Sequence, residues 1–94
     1  MKKAPTAAQK RRMARVVDLG CIICGRPAAI HHCRHACGMS QRRHDHIAGL
    51  CGDHHQHGPI SRHGQGAKEF KEKYGDDRWL HEETCRRLGE LVEE

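Results

Sequence analysis

A chain of 94 residues, of which only 36% are hydrophobic and three are aromatic, can form one small domain with a modest apolar core. It contains no apolar run near the length of about 20 residues that spans a bilayer, and no apolar stretch follows its basic first residues, so we expect neither a membrane segment nor a secretory signal. The net charge is +5, and eleven of the 17 Lys and Arg residues lie in residues 1–67 beside only three of the 12 Asp and Glu. Such a concentration of positive charge is typical of proteins that bind a phosphate backbone, although the basic run over residues 2–15 can also serve solubility alone.

The first predicted element is a helix over residues 7–19. Thr6 and Gln9 have the spacing of a capping box, in which the two side chains satisfy backbone amides at the start of a helix. Gly20 suits the residue that ends such a helix. Its thin apolar stripe consists of Met13, Val16 and Val17 and can include Leu19.

The middle of the chain lacks helical periodicity, and short strands are predicted at residues 28–32 and 47–50 with loops between them. A short helix is predicted over residues 67–74. A last helix begins after Asp76 or Asp77, either of which can cap it, and runs to about residue 92. The predicted fold is α+β, a single domain over residues 1–94 that comprises a basic arm and helix (1–19), a Cys/His-rich region (20–64) and C-terminal helices (65–94).

Six cysteines and ten histidines can be interpreted in two ways. Six cysteines in so short a chain suit a three-disulfide secreted scaffold. Nine of the histidines, however, lie between residues 31 and 63 among the cysteines, and such a cluster serves metal binding rather than disulfide formation. We therefore favour a metal protein in a reducing, cytoplasmic compartment.

Two pairs of residues have the spacing of structural zinc ligands. Cys21 and Cys24 are separated by two residues, and so are Cys51 and His54. This gap lets a tight turn direct both side chains of a pair at one ion, and two such pairs complete a tetrahedral site. His55 and His57 are the alternatives to His54 as fourth ligand. A second zinc site could form from Cys33, His35 and Cys37 with another histidine, unless these are free thiols and a surface histidine.

The adjacent histidines at 31 and 32, followed by the element Leu50-Cys51-x-x-His54-His55, resemble the HNH nucleases of the ββα-metal (His-Me finger) type. At the Asn-like position of that family, about nine residues before the last histidine, this chain has His46. The closest similarity is to the phage recombination-enhancement (Ref-type) RecA-dependent nuclease domain and its short phage and prophage relatives. The stretches that carry it are Leu19-Gly20-Cys21-Ile22-Ile23-Cys24, Ile30-His31-His32-x-Arg34, Gly38-Met39-x-x-Arg42-Arg43-His44, Leu50-Cys51-x-x-His54-His55, Ser61-Arg62-His63 and Phe70-x-x-x-Tyr74-Gly75.

The resemblance implies a small zinc-stapled ββα-metal domain with flanking N- and C-terminal helices, and a divalent ion at its active site. His31 and His55 would hold this ion, which is Mg²⁺ or another divalent cation. His63 would be a third ligand or a donor to phosphate. Imidazole also tolerates Mn²⁺, Ni²⁺ or Zn²⁺, so the resemblance leaves the ion open.

The resemblance further implies that His32 is the general base of phosphodiester hydrolysis, because the pKa of an imidazole lies near working pH. Either His44 or His46 would orient that base. Arginines beside these histidines are candidates for gripping DNA phosphates, with ordinary solvated charge as the alternative. They are Arg34, Arg42, Arg43 and Arg62.

The function expected from these motifs is a metal-dependent DNA endonuclease or nickase that acts in phage or prophage recombination, on DNA that a recombinase filament can hold. The alternative is a zinc-stapled DNA-binding module without catalysis. A metal-storage or sensing protein is a third possibility, which the basic surface disfavours.

Overall fold

The computed structural model describes residues 4–34 and 44–90. In chain order these residues form helix α1 (Ala7–Leu19), strand β1 (Ala29–His32), strand β2 (Ile47–Leu50), a π-helical turn (Asp53–His57), helix α2 (Ala67–Lys73) and helix α3 (Asp77–Leu88). The α+β class is confirmed, and so is the approximate position of each predicted helix and strand except for the end of the last helix. No helix in these two described ranges is long and apolar enough to cross a membrane.

Helix α1 begins at the predicted capping box. The Thr6 hydroxyl accepts from the Gln9 amide at 3.1 Å, and the Gln9 side chain accepts from the Thr6 amide at 2.8 Å. Gly20 ends the helix with φ at +79°, a conformation that favours glycine. Of the predicted apolar stripe, Val16 is buried but Val17 is 40% exposed. Consecutive helical residues point about 100° apart, so a narrow contact buries only one of them.

The two strands form an antiparallel pair in which His31 lies opposite Ala48 and His32 lies opposite Ile47. All four residues of β2 are buried, because α1 and α3 both pack against this strand. On β1, His31 is buried and His32 is only partly buried, as expected where alternate side chains point to opposite faces. The pair of strands therefore places two neighbouring histidines in different surroundings.

Helix α3 settles the choice between the two candidate caps. The Asp76 side chain accepts from the Trp79 amide at 3.0 Å and is the N-cap, whereas Asp77 is the first helical residue and is buried. The helix ends at Leu88 rather than near residue 92, because Gly89 adopts a left-handed φ of +76°. Residues 91–94, at the predicted end of this helix, lie outside the described ranges.

The core is small and contains cysteines among its aliphatic and aromatic side chains. Its buried members are Cys21, Ile22, Cys33, Ala48, Leu50, Cys51, Phe70 and Leu80. Two of these cysteines also belong to the first side-chain cluster described below, so the core and the cluster are continuous. A domain with so few buried apolar side chains usually needs a stabilising element in addition to its core, such as a bound metal ion.

Candidate metal centres

The structure brings together the four side chains whose spacing predicts a structural zinc site. One ligand atom from each of Cys21, Cys24, Cys51 and His54 lies within 4.8 Å of all the others. Sγ of Cys24 and Sγ of Cys51 are 3.7 Å apart, and Nδ1 of His54 lies 3.7 Å from Sγ of Cys21 and 3.2 Å from Sγ of Cys51. A tetrahedron with zinc–ligand bonds of about 2.0–2.3 Å has edges of about 3.3–3.8 Å. This Cys₃His cluster can therefore hold a metal ion, and its donor set fits zinc.

Short backbone hydrogen bonds shape the two halves of the Cys₃His cluster. In the first half, the Gly25 amide donates to the carbonyl of Cys21 at 2.8 Å and closes a tight turn. In the second half, the His55 amide donates to the carbonyl of Cys51 at 2.9 Å, so that His54 projects from the first residues of the π-helical turn. A bond of 2.9 Å from the Ile22 amide to the Gly49 carbonyl joins the first turn to β2 and hence to the second half.

Arg26 is a neighbour of this cluster that no sequence motif indicates. Its Nε donates to Sγ of Cys24 at 3.3 Å, and its guanidinium forms an ion pair with Asp53 at 3.2 Å. The hydrogen bonds from Arg26 lower the pKa of Cys24 to about 6. A thiolate is the form of cysteine that binds zinc, so this arginine favours the metal-binding state of the cluster.

The second cluster consists of three histidines that the resemblance assigns to the divalent ion. His31, His55 and His63 each offer a ring nitrogen, and these atoms lie within 4.8 Å of one another. Nε2 of His63 is 3.1 Å from Nδ1 of His31, and the ring of His55 lies 5.3 Å from that of His31 and 4.9 Å from that of His63 between centroids. We refer to this set as the three-histidine cluster. It can also hold a metal ion.

Two backbone hydrogen bonds hold His63 next to the other members of the three-histidine cluster. The His63 amide donates to the carbonyl of His55, and the Arg62 amide donates to that of His54, both at 2.8 Å. His55 directly follows the last ligand of the Cys₃His cluster, so the two clusters share one stretch of backbone. His31 is buried, His55 is partly buried and His63 is exposed, which leaves one side of the cluster accessible from solvent.

The electrostatic surroundings keep two members of the three-histidine cluster neutral. Burial, together with the neighbouring imidazoles of His31, His63 and His57, lowers the pKa of His55 to about 4. Burial and the charges of His31 and Arg62 also lower the pKa of His63. A neutral imidazole has the lone pair that binds a cation, so His55 is ready to act as a ligand at neutral pH.

Asp77 contacts His31 of the three-histidine cluster, although its position in the sequence indicates only a possible helix cap. Its carboxylate accepts from Nε2 of His31 at 2.9 Å, from Nε of Arg62 at 2.8 Å and from the backbone amide of Arg34 at 2.9 Å. Burial by itself would raise the pKa of Asp77, but these hydrogen bonds outweigh it and hold the pKa well below its usual range. The pair Asp76-Asp77 at a helix start was the only sequence signal for this residue.

His32 contacts His44 rather than the three-histidine cluster. Nε2 of His32 lies 3.2 Å from Nδ1 of His44, which is 8% exposed. The ring of His46 lies 4.4 Å from that of His81 between centroids. Of the two candidates for orienting His32, the structure therefore pairs His44 with it and pairs His46 with a residue of α3.

The remaining predicted site residues are the alternative zinc ligands, His55 and His57, and the four arginines. His57 is exposed and is not among the residues of the Cys₃His cluster, and His55 belongs to the three-histidine cluster. The guanidinium of Arg62 is held by Asp77, whereas the side chain of Arg34 is exposed. Arg42 and Arg43 lie outside the described residues.

Cys33, a candidate for a second zinc site, lies in the core. Its Sγ is within 4.8 Å of ligand atoms of His31 and Asp77. Burial raises the pKa of the Cys33 thiol well above its usual range, which favours the protonated form that binds metal poorly. Its predicted partners His35 and Cys37 lie outside the described residues.

No protein-family model matches this chain, and no curated protein matches its sequence.

Proposed function

We propose that this chain is a metal-dependent DNA endonuclease or nickase of the HNH, ββα-metal type, which hydrolyses phosphodiester bonds. The observation that carries the proposal is the placement of two adjacent histidines on β1: His31 joins the three-histidine cluster, while His32 contacts His44. One strand thus carries a member of a candidate cation site and, at the next residue, a candidate proton acceptor. Hydrolysis of a phosphodiester by metal and water needs both.

The local fold supports the same proposal. Strands β1 and β2 pair in antiparallel fashion, and the π-helical turn Asp53–His57 follows β2 after two residues. We assign this strand–strand–helix unit to the ββα-metal arrangement, with the Cys₃His cluster as its structural zinc site. The zinc would stabilise the unit that carries His31 and His55 and whose turn is hydrogen-bonded to the backbone of His63.

In the proposed reaction, His31, His55 and His63 would hold one divalent cation. Such a cation stabilises the negative charge that develops on the phosphate and on the leaving 3′ oxygen. Imidazole ligands suit Mn²⁺, Ni²⁺ or Zn²⁺ as well as Mg²⁺, so several ions are candidates.

The same reaction assigns the proton of the attacking water to His32. A general base needs one ring nitrogen without a proton, and a neutral imidazole has one N–H. Nε2 of His32 lies 3.2 Å from Nδ1 of His44, which places His44 as the partner of this base. His44 would then fix the tautomer and the direction of the base.

DNA is the substrate that charge and resemblance favour. The basic residues are concentrated in residues 1–67, which include both clusters, and neutralising phosphates with such residues releases counterions from DNA. Arg62 precedes His63 and Arg34 follows β1, so both arginines lie near the proposed reaction centre. The resemblance to phage recombination nucleases adds a recombinase–DNA filament as a candidate partner.

One observation favours a second candidate function, a zinc-stapled DNA-binding module without catalysis. At the Asn-like position of the HNH pattern this chain has His46, and the ring of His46 contacts His81 rather than His32. A chain with this change could keep the fold and the basic surface and lose turnover. Both candidates bind DNA in a salt-sensitive manner, and only the first cleaves it.

Plasmid nicking separates the two candidates. Supercoiled plasmid is incubated with the full chain and Mg²⁺, Mn²⁺, Ni²⁺ or Zn²⁺, and with the variants His32→Ala and His57→Ala. We expect open circles with the unchanged chain and with His57→Ala, whose histidine is exposed, and none above background with His32→Ala. Absence of nicking with every ion, together with salt-sensitive DNA binding, would establish the second candidate instead. Equal nicking by His32→Ala would exclude the assigned base.

A further inference from the structure

The carboxylate of Asp77 accepts hydrogen bonds from three residues of the chain, one of which is His31 of the three-histidine cluster. Its Oδ1 accepts from Nε2 of His31 on β1 and from Nε of Arg62, and its Oδ2 accepts from the backbone amide of Arg34. The Asp77 side chain is 8% exposed and the His31 side chain is 1% exposed. A buried carboxylate with three short contacts of 2.8–2.9 Å holds its partners in fixed positions.

These contacts determine which nitrogen of His31 carries the hydrogen. A guanidinium and a backbone amide can only donate, so the carboxylate is the acceptor in both of those bonds. Because Oδ1 also accepts from His31, the hydrogen of the imidazole lies on Nε2. The other ring nitrogen, Nδ1, faces the cluster at 3.1 Å from Nε2 of His63 and presents its lone pair there.

We infer that Asp77 is the positioning residue of the three-histidine cluster: it fixes the tautomer and ring orientation of His31, and through the same oxygen it holds Arg62 beside His63. The inference rests on the proposed function only in taking the cluster to be a cation site. Metal-binding histidines typically donate their second N–H to such a partner, and loss of that partner costs about 10–100-fold in metal affinity. Asp77 reaches this position because it is the first residue of α3, whereas its neighbour Asp76 caps the helix.

The first test measures the cation affinity of Asp77→Asn. The full chain, loaded with one equivalent of zinc, is titrated with Ni²⁺ against a chromophoric chelator. We expect Asp77→Asn to bind Ni²⁺ about 10–100-fold more weakly than the unchanged chain and to retain its zinc. The matched control is Asp76→Asn, which removes the same charge one residue away and keeps a good N-cap, and its Ni²⁺ affinity should be unchanged. Equal Ni²⁺ affinity in Asp77→Asn and the unchanged chain would overturn the inference.

The second test has its decisive measurement on the unchanged chain, so that measurement does not depend on the folding of a variant. Long-range ¹H–¹⁵N correlation spectra of the unchanged, zinc-loaded chain without Ni²⁺ report the tautomer of each histidine. We expect His31 as the Nε2–H tautomer, and its signals should change in Asp77→Asn but not in Asp76→Asn. The Nδ1–H tautomer in the unchanged chain would overturn the inference.

The two tests fail independently of the proposed function. A chain that binds Ni²⁺ with the Asp77 dependence described, yet nicks no plasmid with any ion, would retain the positioning role and lose the nuclease proposal. The opposite result is a chain that nicks plasmid through His32 but shows no effect of Asp77→Asn on Ni²⁺ affinity or on the His31 tautomer. It would retain the nuclease proposal and exclude the positioning role of Asp77.

Discussion

Nε2 of His32 lies 3.2 Å from Nδ1 of His44, although 12 residues separate the two histidines in the chain. The contact joins the last residue of β1 to a buried residue that precedes β2. It gives His32 a partner on one ring nitrogen while its neighbour His31 turns to the opposite face of the strand.

The first prediction concerns the choice between His44 and His46. We expect His44→Ala to lower the rate of plasmid nicking at least about tenfold, because His32 loses the partner that orients it, and the loss cannot exceed the value of a general base, about 10²–10⁴-fold. His46→Ala should lower the rate less, since its ring contacts His81 rather than His32. Initial rates at saturating cation, with melting temperatures to confirm folding, make the comparison. A larger loss in His46→Ala than in His44→Ala would contradict the assignment.

The second prediction concerns the zinc content. Metal analysis after gel filtration should give at least one zinc per chain, and Cys51→Ser should reduce the content by one because it removes a ligand of the Cys₃His cluster. Removal of zinc by a chelator should unfold the domain, since structural zinc supplies folding free energy directly. Cys85→Ser is the control, because Cys85 is buried but belongs to none of the clusters found among the described residues. A chain that contains no zinc and still folds would contradict the prediction.

The third prediction concerns Arg26. Hydrogen bonds from this residue lower the pKa of Cys24 to about 6, so protons compete with zinc at this sulfur only below that pH. In Arg26→Ala the competition should begin at higher pH, and the pH at which half of the zinc is released should rise. A chromophoric zinc indicator followed during acidification measures this midpoint. Arg11→Ala, an exposed position on α1, should leave the midpoint where it is in the unchanged chain.

The fourth prediction concerns pH-dependent stability. The pKa of His55 is lowered from 6.5 to about 4, so between these values the unfolded chain holds a proton that the folded chain does not. The free energy of unfolding should therefore fall as pH falls from about 6.5 towards 4, and this group should contribute no slope above that window. Urea unfolding at pH 7.0 and pH 5.5 should give a smaller decrease in His55→Gln than in the unchanged chain. Equal decreases in the two proteins would show that His55 is not the group responsible.

The fifth prediction concerns the attachment of α1 to the end of α3. Arg12 forms hydrogen bonds to both carboxylate oxygens of Glu90, at 2.8–3.1 Å, and to the carbonyl of Asp45 at 2.9 Å. The side chain of Arg12 is 16% exposed, so Arg12→Ala should lower the free energy of unfolding by about 1–3 kcal/mol. Urea denaturation of zinc-loaded protein tests this, with Arg11→Ala as a neighbour that should change stability by less than about 0.5 kcal/mol. Equal stability of the two variants would contradict the prediction.

Interactions between residues close in sequence could be predicted without the structure. The capping box of Thr6 and Gln9 and the two-residue gaps within the cysteine and histidine pairs depend only on backbone geometry over a few residues. The end of α3 at Gly89 is an equally local signal, because a glycine readily adopts the left-handed conformation that ends a helix. The predicted end near residue 92 followed the apolar pattern of the helix instead, and it was wrong.

The tertiary structure decided the contacts between residues far apart in sequence. Asp77 meets His31 across 46 residues, and Arg12 meets Glu90 across 78, and no spacing or periodicity encodes either contact. The sequence left Asp76 and Asp77 as equivalent caps, and His44 and His46 as equivalent partners of His32. It determined that this small, weakly apolar chain has pairs of residues with the spacing of metal ligands, and approximately where its helices and strands lie. Packing of α1 and α3 on β2 then decided which carboxylate is buried and which histidine contacts His32, because those contacts depend on how the elements dock rather than on how each one forms.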